Sequence, residues 1–305
     1  IELSGYLETE KMEIAKRHLI PKQLEKHGLK KSQLTIADEA IVELIRGYTH
    51  EAGVRELERE TAAVCRKAAM DIGSGKARVR VGKQKLAAYL GAPKYTHGAI
   101  DAINEIGLAN GLAWTSFGGE TLQIEVQIVP GSGQVILTGK LGDVMQESAK
   151  AALTFIKAHA EEFGITLPLD KKDIHLHVPE GAVPKDGPSA GITIMTAMLS
   201  ALSGIPARAD TAMTGEITLR GRVLEIGGLR EKLLAAYRAG IRRVLIPKAN
   251  EKDLSDVPDE VKANMEIIGV ASAFDVIPLA LEHTPQKTAD AFIPQHAHSG
   301  AAAAQ

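Results

Sequence analysis

Cysteine and aromatic residues are scarce in this chain of 305 residues, which contains one cysteine, Cys65. A disulfide framework within the chain is therefore excluded, and a single thiol in a helical pattern is typical of a small buried hydrophobic residue. Aromatic residues make up 4% and hydrophobic residues 45% of the sequence, which predicts a sizeable core of aliphatic side chains. The lack of disulfides favours a reducing, cytoplasmic location.

The chain also lacks a strong charge, a membrane span and a nucleotide-phosphate motif. The net charge is −2, and no basic stripe supports DNA binding. The apolar run 190–202 is shorter than the roughly 20 residues of a membrane helix, so it predicts a buried helix and no membrane association. There is no GxxxxGK[ST] motif, and no Cys/His cluster has the spacing of a metal site. The start at Ile1, without a methionine or signal-peptide pattern, indicates a piece of a longer protein.

Hydrophobic periodicity divides the chain into two parts and a tail. The first 75 residues read as all helix, with Pro21 kinking or breaking 8–29 and Thr35 capping the next helix, followed by a short strand at 79–81. Strands and helices then alternate, with predicted hairpins at 124–139 and 213–228, a strand at 174–178, and helices at 190–202 and 229–238. The expected fold is α+β: an all-α unit (1–92), a mixed α/β domain (93–285) and a disordered tail (286–305).

Ser189, in the sequence GPSAG, allows three interpretations. It suits a helix cap after Pro188, it fits the GxSxG elbow of a Ser-His-Asp hydrolase with His283 as base, or it is the nucleophile of another acyl-transfer site. The elbow needs a strand that runs directly into the serine, and a Gly/Pro-rich loop intervenes here. Such a loop before a buried helix presents backbone N–H groups that could hold a tetrahedral oxyanion.

A serine nucleophile needs a base, and lysine serves as one when it is desolvated. On the helix 229–238, Leu229, Leu233 and Ala236 form an apolar stripe that Lys232 flanks. The helix wheel favours an amine that extends to solvent from the edge of the core, and leaves a catalytic role open.

Several long strings resemble the Lon family of ATP-dependent proteases. PKDGPSAG (184–191), TGEITLRGRVLEIGGLREKLLAA (214–236) and GLAWTSFGGE (111–120) are similar to its proteolytic domain. GYTHEAGVRELERE (47–60) is similar to the small helical lid of its AAA+ module. The resemblance extends to about residue 284, and it implies a helical lid followed by a Ser–Lys protease domain of the soluble bacterial type.

The resemblance also implies roles for individual residues. Ser189 corresponds to the nucleophile, Lys232 to its general base, and Thr214 to a hydroxyl that contacts the lysine. Three further residues correspond to supporting positions near the site: Asp186, His175 and His177. Trp114 corresponds to a strand beside the peptide groove, and Arg55 to an arginine that senses nucleotide in AAA+ proteins.

The implied activity is endoproteolysis of unfolded polypeptides inside a hexameric ring in the cytoplasm. Peptide hydrolysis by this chain would need no cofactor, whereas the longer enzyme would use ATP and Mg. Two alternatives stay open: a Ser-His-Asp hydrolase with GPSAG as its elbow, and a catalytically silent Lon-like domain that only assembles or binds.

Overall fold

The structure, a computed structural model, describes residues 5–95, 103–115, 118–179 and 184–286. Most of the predicted tail, 287–305, lies outside the described residues. Buried residues of the described chain form three hydrophobic clusters: one before the predicted boundary at residue 92, from Ala15 to Leu90, and two after it, from Ala109 to Leu281 and from Leu112 to Met265. The boundary itself stays a prediction.

The first core belongs to a helical unit. Its helices are α1 (Glu8–Ile14), α2 (Ile20–Lys26), α3 (Asp38–Tyr48), α4 (Arg55–Gly73) and α5 (Lys83–Leu90). A π-helical segment, Ala15–Leu19, joins α1 to α2, and Pro21 lies in the first turn of α2. The backbone keeps helical dihedral angles through both junctions, so Pro21 does not break the helix; the irregular π-helical turn lies just before this proline, which has no N–H to donate.

Two predictions for this unit are wrong. A strand, β1 (Leu34–Ile36), interrupts the expected run of helices and pairs in parallel with β2 (Val79–Val81). Thr35 is the exposed middle residue of β1 rather than a cap, and α3 begins after Ala37. The strand forms because Leu34 and Ile36 are buried on one side once β2 lies beside them, which is a long-range effect. The predicted strand at 79–81 is confirmed.

The two clusters after residue 92 lie on the two faces of a sheet of seven strands. In chain order the strands of this region are β3 (Leu108–Thr115), β4 (Gly118–Pro130), β5 (Val135–Thr138), β6 (Lys172–His177), β7 (Thr211–Met213), β8 (Glu216–Ile217), β9 (Val223–Leu224), β10 (Arg243–Pro247) and β11 (Glu266–Val270). The sheet order is β11-β10-β7-β3-β4-β6-β5, and β8 and β9 form a separate antiparallel pair.

Helices cover both faces of the sheet. They are α6 (Asp143–Ala158), α7 (Gly191–Ser203), α8 (Leu229–Arg238), α9 (Asp259–Asn264) and α10 (Ala273–Ala280). On β10, Leu245 joins the cluster of α6, α7 and α10, whereas Val244 and Ile246 join the cluster of α8 and α9. This alternation of side chains places α7 and α8 on opposite faces.

The predicted hairpin at 124–139 is wrong. β6 lies between β4 and β5, and β5 pairs with β6 in parallel. The Pro-Gly-Ser-Gly turn is instead organised by Asp173 of β6, whose carboxylate accepts the N–H groups of Ser132 and Gln134. The hairpin expected at 213–228 is confirmed as β8–β9, and the helix expected at 229–238 is confirmed as α8.

α7 is the predicted buried helix. Its hydroxyl groups are bonded internally: Thr193 and Thr196 donate to the carbonyls of Met213 and Ile192. A polar group in such a core is costly unless it is hydrogen-bonded, so these bonds allow threonine in an apolar helix. Among the described residues, no helix is both long and apolar enough to cross a membrane.

Truncation of Phe155 is expected to test the core beneath α6. Phe155 is fully buried, and its ring centroid lies 6.1 Å from that of Phe163 and 5.6 Å from that of Phe274. Phe155→Ala should lower the free energy of unfolding by about 3–5 kcal/mol, measured by urea denaturation. Phe274 is 41% exposed, so the control Phe274→Ala should cost clearly less. Equal losses would contradict this account of the core.

Candidate active site

The candidate site lies where β7 ends and elements from both faces of the sheet meet. Thr214 directly follows β7, Ser189 lies just before α7, and Lys232 lies on α8. Ligand and catalytic sites commonly occur at the carboxyl ends of parallel strands, and β7 is parallel to both neighbours, β3 and β10. Three residues distant in sequence are thus brought together.

Ser189 occupies a short 3-10 turn, Pro188–Ala190, that leads into α7. Gly187 before it has a φ of 126°, a conformation that favours glycine. The Ser189 carbonyl accepts the Gly215 N–H at 2.7 Å, which fixes the turn against the segment after β7. The N-cap of α7 is Ala190, without a side-chain cap bond, so the interpretation of Ser189 as a helix cap is wrong.

Lys232 contacts the side-chain hydroxyls of Ser189 and Thr214. Its Nζ lies 3.0 Å from Ser189 Oγ and 3.1 Å from Thr214 Oγ1. The residue is only 2% exposed, so the amine does not extend to solvent as the helix wheel favoured. Burial lowers the pKa of Lys232 from 10.5 to about 8, because a charged amine loses its hydration there. A substantial fraction of this lysine is therefore neutral near pH 8.

Thr214 orients the amine. Its Oγ1 donates to the Ser189 carbonyl at 3.2 Å, and its backbone N–H donates to Leu245 O at 3.1 Å. Because the hydroxyl proton is directed to Ser189 O, Oγ1 accepts from the Lys232 amine. One N–H of the lysine is thereby held by Thr214, and its nitrogen remains directed toward Ser189 Oγ.

Removal of the Thr214 hydroxyl should slow the chemical step. We expect Thr214→Val to lower the rate at which a fluorophosphonate labels Ser189 roughly 10- to 100-fold, because it takes about 1–3 kcal/mol from the buried contact that holds the Lys232 amine. The control is Thr211→Val at the other end of β7, where the hydroxyl donates to Asp210. A Thr214→Val enzyme as fast as this control would contradict the orienting role.

Asp186 contacts the start of α6 rather than Lys232. Its Oδ1 accepts the backbone N–H groups of Met145 at 3.0 Å and Gly187 at 2.9 Å. A Cβ at Gly142 would come within 2.3 Å of this carboxylate, so glycine leaves the space that Asp186 occupies. The carboxylate thereby holds the loop before Ser189 against the N-terminus of α6. Its predicted influence on the opening of the site stays a prediction.

His175 and His177 lie on one side of β6, as the alternation predicts, while Ile174 and Leu176 are buried on the other. Both rings contact Thr138: Oγ1 lies 2.9 Å from His175 Nε2 and 2.7 Å from His177 Nδ1. The strands β3 and β4 separate β6 from β7, and no contact joins either ring to Ser189 or Lys232 among the described residues. Their supporting role stays a prediction.

The other predicted residues lie at the surface. Trp114 on β3 is 58% exposed, and its side chain packs over Gly228 at the start of α8. Arg55 is exposed in the first turn of α4. His283 is exposed after α10 and makes no contact with Ser189 within the described part of the chain. That region also contains no cluster of three or more His, Cys, Asp or Glu side chains that could hold a metal ion.

The site contains residues that the sequence pattern did not single out. Gly142 accommodates Asp186, and Gly191 packs against the backbone of Ile217, whose N atom would lie 2.7 Å from a Cβ at that position. Lys185 forms an isolated bridge with Leu141, which fastens the serine loop to the start of α6. For Gly142 and Gly191, the only sequence signal is the glycine itself.

Comparisons with known proteins assign both parts of the chain. Residues 80–283 match the Lon protease (S16) C-terminal proteolytic domain, and residues 25–81 match the Lon protease AAA+ ATPase lid domain. These matches define the class, an ATPase lid joined to a peptidase domain, and they confirm the fold expected from the sequence. The chain belongs to the Lon protease family.

The curated relatives that match this chain are also Lon proteases. The chain is 57% identical over 285 residues to the Lon protease of Nitratidesulfovibrio vulgaris, covering 92% of the chain and 35% of the relative. It is 54% identical to that of Escherichia coli K12, covering 93% and 37%, and 50% identical to that of Brucella suis, covering 100% and 38%. The chain thus spans about a third of the length of these relatives.

Proposed function

We propose that this chain is the proteolytic part of a serine endopeptidase in which Lys232 is the general base for Ser189. The observation that carries the proposal is the 3.0 Å contact between Lys232 Nζ and Ser189 Oγ, made by a buried lysine whose pKa is lowered to about 8. A serine hydroxyl is a weak nucleophile until an adjacent base accepts its proton, and a neutral amine at this distance can do so.

The reaction proceeds in two steps. The Ser189 hydroxyl proton passes to the neutral Lys232 amine while Oγ bonds to the carbonyl carbon of the peptide. The lysine then returns that proton to the leaving amine as the peptide C–N bond breaks, which leaves an ester on Ser189. A water molecule repeats the sequence: it gives a proton to Lys232, its oxygen bonds to the ester carbon, and the proton returns to Ser189.

The oxyanion would be held by backbone N–H groups of the 186–189 loop, which lies ahead of a buried helix. The Gly187 N–H in this loop already donates to the Asp186 carboxylate at 2.9 Å. A developing oxyanion therefore competes with Asp186 for this donor, which gives Asp186 an influence on the site without direct contact to Lys232.

The substrate would bind as an extended strand beside β3. In the described residues β3 pairs with β7 only at Asn110 and Gly111, whereas its pairing with β4 continues to Thr115. The outer part of β3 therefore has an edge on the side of Ser189 where a polypeptide can add its backbone hydrogen bonds. The exposed Trp114 on this part of β3 offers apolar surface to such a peptide.

In the longer protein this activity would depend on ATP and Mg, in a cytoplasmic hexamer that degrades unfolded or damaged proteins. The match to an AAA+ ATPase lid supports the dependence on ATP. Arg55 is exposed at the first turn of α4, where it can reach a phosphate, but this chain carries no phosphate-binding loop. Arg55 alone does not form a nucleotide site, so peptide hydrolysis by the chain is assigned to Ser189 and Lys232 without a cofactor.

The histidine alternative has less support. An α/β-hydrolase elbow requires a strand that ends at the nucleophile, and Ser189 lies in a 3-10 turn. His283 is exposed, whereas Lys232 contacts Ser189 Oγ. A catalytically silent assembly domain is separated from a peptidase by the following experiment.

Hydrolysis of casein and of a short fluorogenic peptide, with and without a peptidyl boronate, tests the proposal. We expect the wild type to be active or to form a boronate adduct on Ser189, and Ser189→Ala to do neither. Ser203→Ala is the matched control, since the Ser203 hydroxyl donates to Leu199 O at the far end of α7. Activity that persists in Ser189→Ala would contradict the nucleophile, and a wild type with neither activity nor adduct would indicate the silent domain.

A further inference from the structure

The position of α8 decides whether Lys232 reaches Ser189. The apolar side of this helix packs through Leu229 and Leu233 against Leu112 and Ala212 of the sheet. Packing between aliphatic side chains tolerates small rearrangements. A hydrogen-bond contact of 3.0 Å between Lys232 and Ser189 tolerates much less, so a firmer constraint on the helix is needed.

At Gly119 of β4 the backbones of the sheet and of α8 lie in close contact. A Cβ at this position would lie 1.9 Å from the carbonyl oxygen of Glu231 and 3.0 Å from the backbone nitrogen of Lys232. The strand backbone therefore lies directly against the peptide bond of the lysine, with no side chain between them. The φ of Gly119 is outside the left-handed region, unlike the 121° of Gly118, so its glycine is required by this contact alone.

Two more contacts join the same end of the β3–β4 hairpin to α8. Arg238, in the last turn of the helix, donates from Nη2 to the carbonyl oxygen of Gly119 at 2.7 Å. Trp114 pairs with Gly119 across the two strands, and its Cγ would lie 2.8 Å from a Cβ at Gly228, the residue before the helix. The hairpin end thus touches α8 at its start, its middle and its last turn.

We propose that Gly119 is a positioning residue for the catalytic lysine. Because Gly119 has no side chain, the backbones of β4 and α8 can approach closely enough for Lys232 to contact Ser189. A methyl group 1.9 Å from a helix carbonyl would have to displace that carbonyl by roughly 1 Å or more to reach van der Waals distance. A displacement of about 1 Å at a catalytic group can lower the rate about 100-fold. The inference rests on the proposed role of Lys232.

The test compares Gly119→Ala with Gly227→Ala in the full chain. Gly227 is the matched control, since it lies two residues before α8, its φ is outside the left-handed region, and a Cβ there would meet nothing within 4 Å. The measurement is kcat for the fluorogenic peptide across pH 6–11, with the rate of Ser189 labelling by a fluorophosphonate as a second readout. Circular dichroism and thermal melting report the folded fraction.

We expect Gly119→Ala to lower both rates about 100-fold at pH 8 and to move the midpoint of their rise with pH upward from about 8, because a displaced lysine gains water. Gly227→Ala should retain the wild-type profile. The charged groups next to the contact, Glu120 on β4 and Glu231 and Arg238 on α8, are the same in both variants. A loss of folded protein would scale the whole profile without moving its midpoint, and that result would overturn the proposal.

A second variant decides the matter if Gly119→Ala does not fold. Arg238→Met removes the hydrogen bond to Gly119 O and adds no atoms at the contact, so we expect a smaller shift of the midpoint in the same direction. An unshifted Arg238→Met profile would then overturn the proposal. Failure of the proposed function is distinguishable, because it would appear as undiminished activity in Lys232→Ala, whatever the glycine variants do.

Discussion

Lys232→Ala is expected to lower kcat for peptide hydrolysis by about 10⁴-fold, the upper end of what removal of a general base costs. The described histidines of the sheet do not replace it, because His175 and His177 contact Thr138 and lie on β6, which two strands separate from β7. KM for a short peptide should change little, since the amine faces two hydroxyls of the protein, those of Ser189 and Thr214.

Lys232→Arg supplies the matched control for this experiment. Arginine keeps the positive charge and much of the length but is not deprotonated in proteins, so it cannot accept the Ser189 proton. We expect it to be as inactive as Lys232→Ala in steady-state assays of the fluorogenic peptide. An arginine variant with substantial activity would mean that charge, and not proton transfer, is what Lys232 provides.

The same lysine is expected to weaken the fold. A lysine with a pKa of about 8 in the native state and 10.5 when unfolded binds fewer protons folded than unfolded between these values. Stability therefore rises with pH through this window, and below pH 8 the full penalty of about 3 kcal/mol is present. Replacement by methionine removes the penalty and also removes contacts to two hydroxyls, each worth about 1 kcal/mol.

Lys232→Met should therefore be inactive and, below pH 8, about 1 kcal/mol more stable than the wild type. The advantage should shrink as pH rises from 8 to 10.5 and vanish or reverse above it. Urea denaturation of both proteins across pH measures the difference. Lys11, whose pKa burial also lowers to about 8, is present in both proteins and cancels. A pH-independent difference would show that Lys232 does not change protonation on folding.

Hydrophobic periodicity in the sequence correctly predicted single helices and strands such as α8 and β6. α8 begins at Leu229 and ends at Arg238 as its apolar stripe and the following Gly240 indicate, and the alternation of β6 placed His175 and His177 on one side. These features follow from the 3.6- and 2-residue periods of helix and strand. The two predicted parts of the fold and their order are correct for the same reason.

Long-range packing explains the two features that local sequence patterns did not predict, the order of β4, β6 and β5 and the existence of β1. β6 enters between β4 and β5, although the turn at 130–133 looks like that of a hairpin, because strand order depends on residues some 40 positions away, such as Asp173. β1 exists only because β2 pairs with it. In both cases the pairing partner lies beyond the range of any local signal.

The burial of Lys232 is the part of the site that a helix wheel could not decide. The wheel places the residue at the edge of the apolar stripe, where a lysine usually reaches water. Its amine is enclosed because β4 lies against the helix backbone at Gly119 and because Ser189 and Thr214 meet it from other elements. Resemblance to the family pointed to the pair, and the three-dimensional packing explains why the two side chains meet and why the pKa of Lys232 is lowered.

The most direct test of the central claim is the pH dependence of Ser189 acylation by a p-nitrophenyl ester in a single turnover, with the modified residue identified by mass spectrometry. If neutral Lys232 takes the serine proton, the acylation rate rises with pH with a midpoint near 8 in the wild type, and the rise is absent in Lys232→Ala. A profile that is the same in both proteins, or that has its midpoint near 6.5 as for an ordinary histidine, would contradict the assignment of Lys232 as the base.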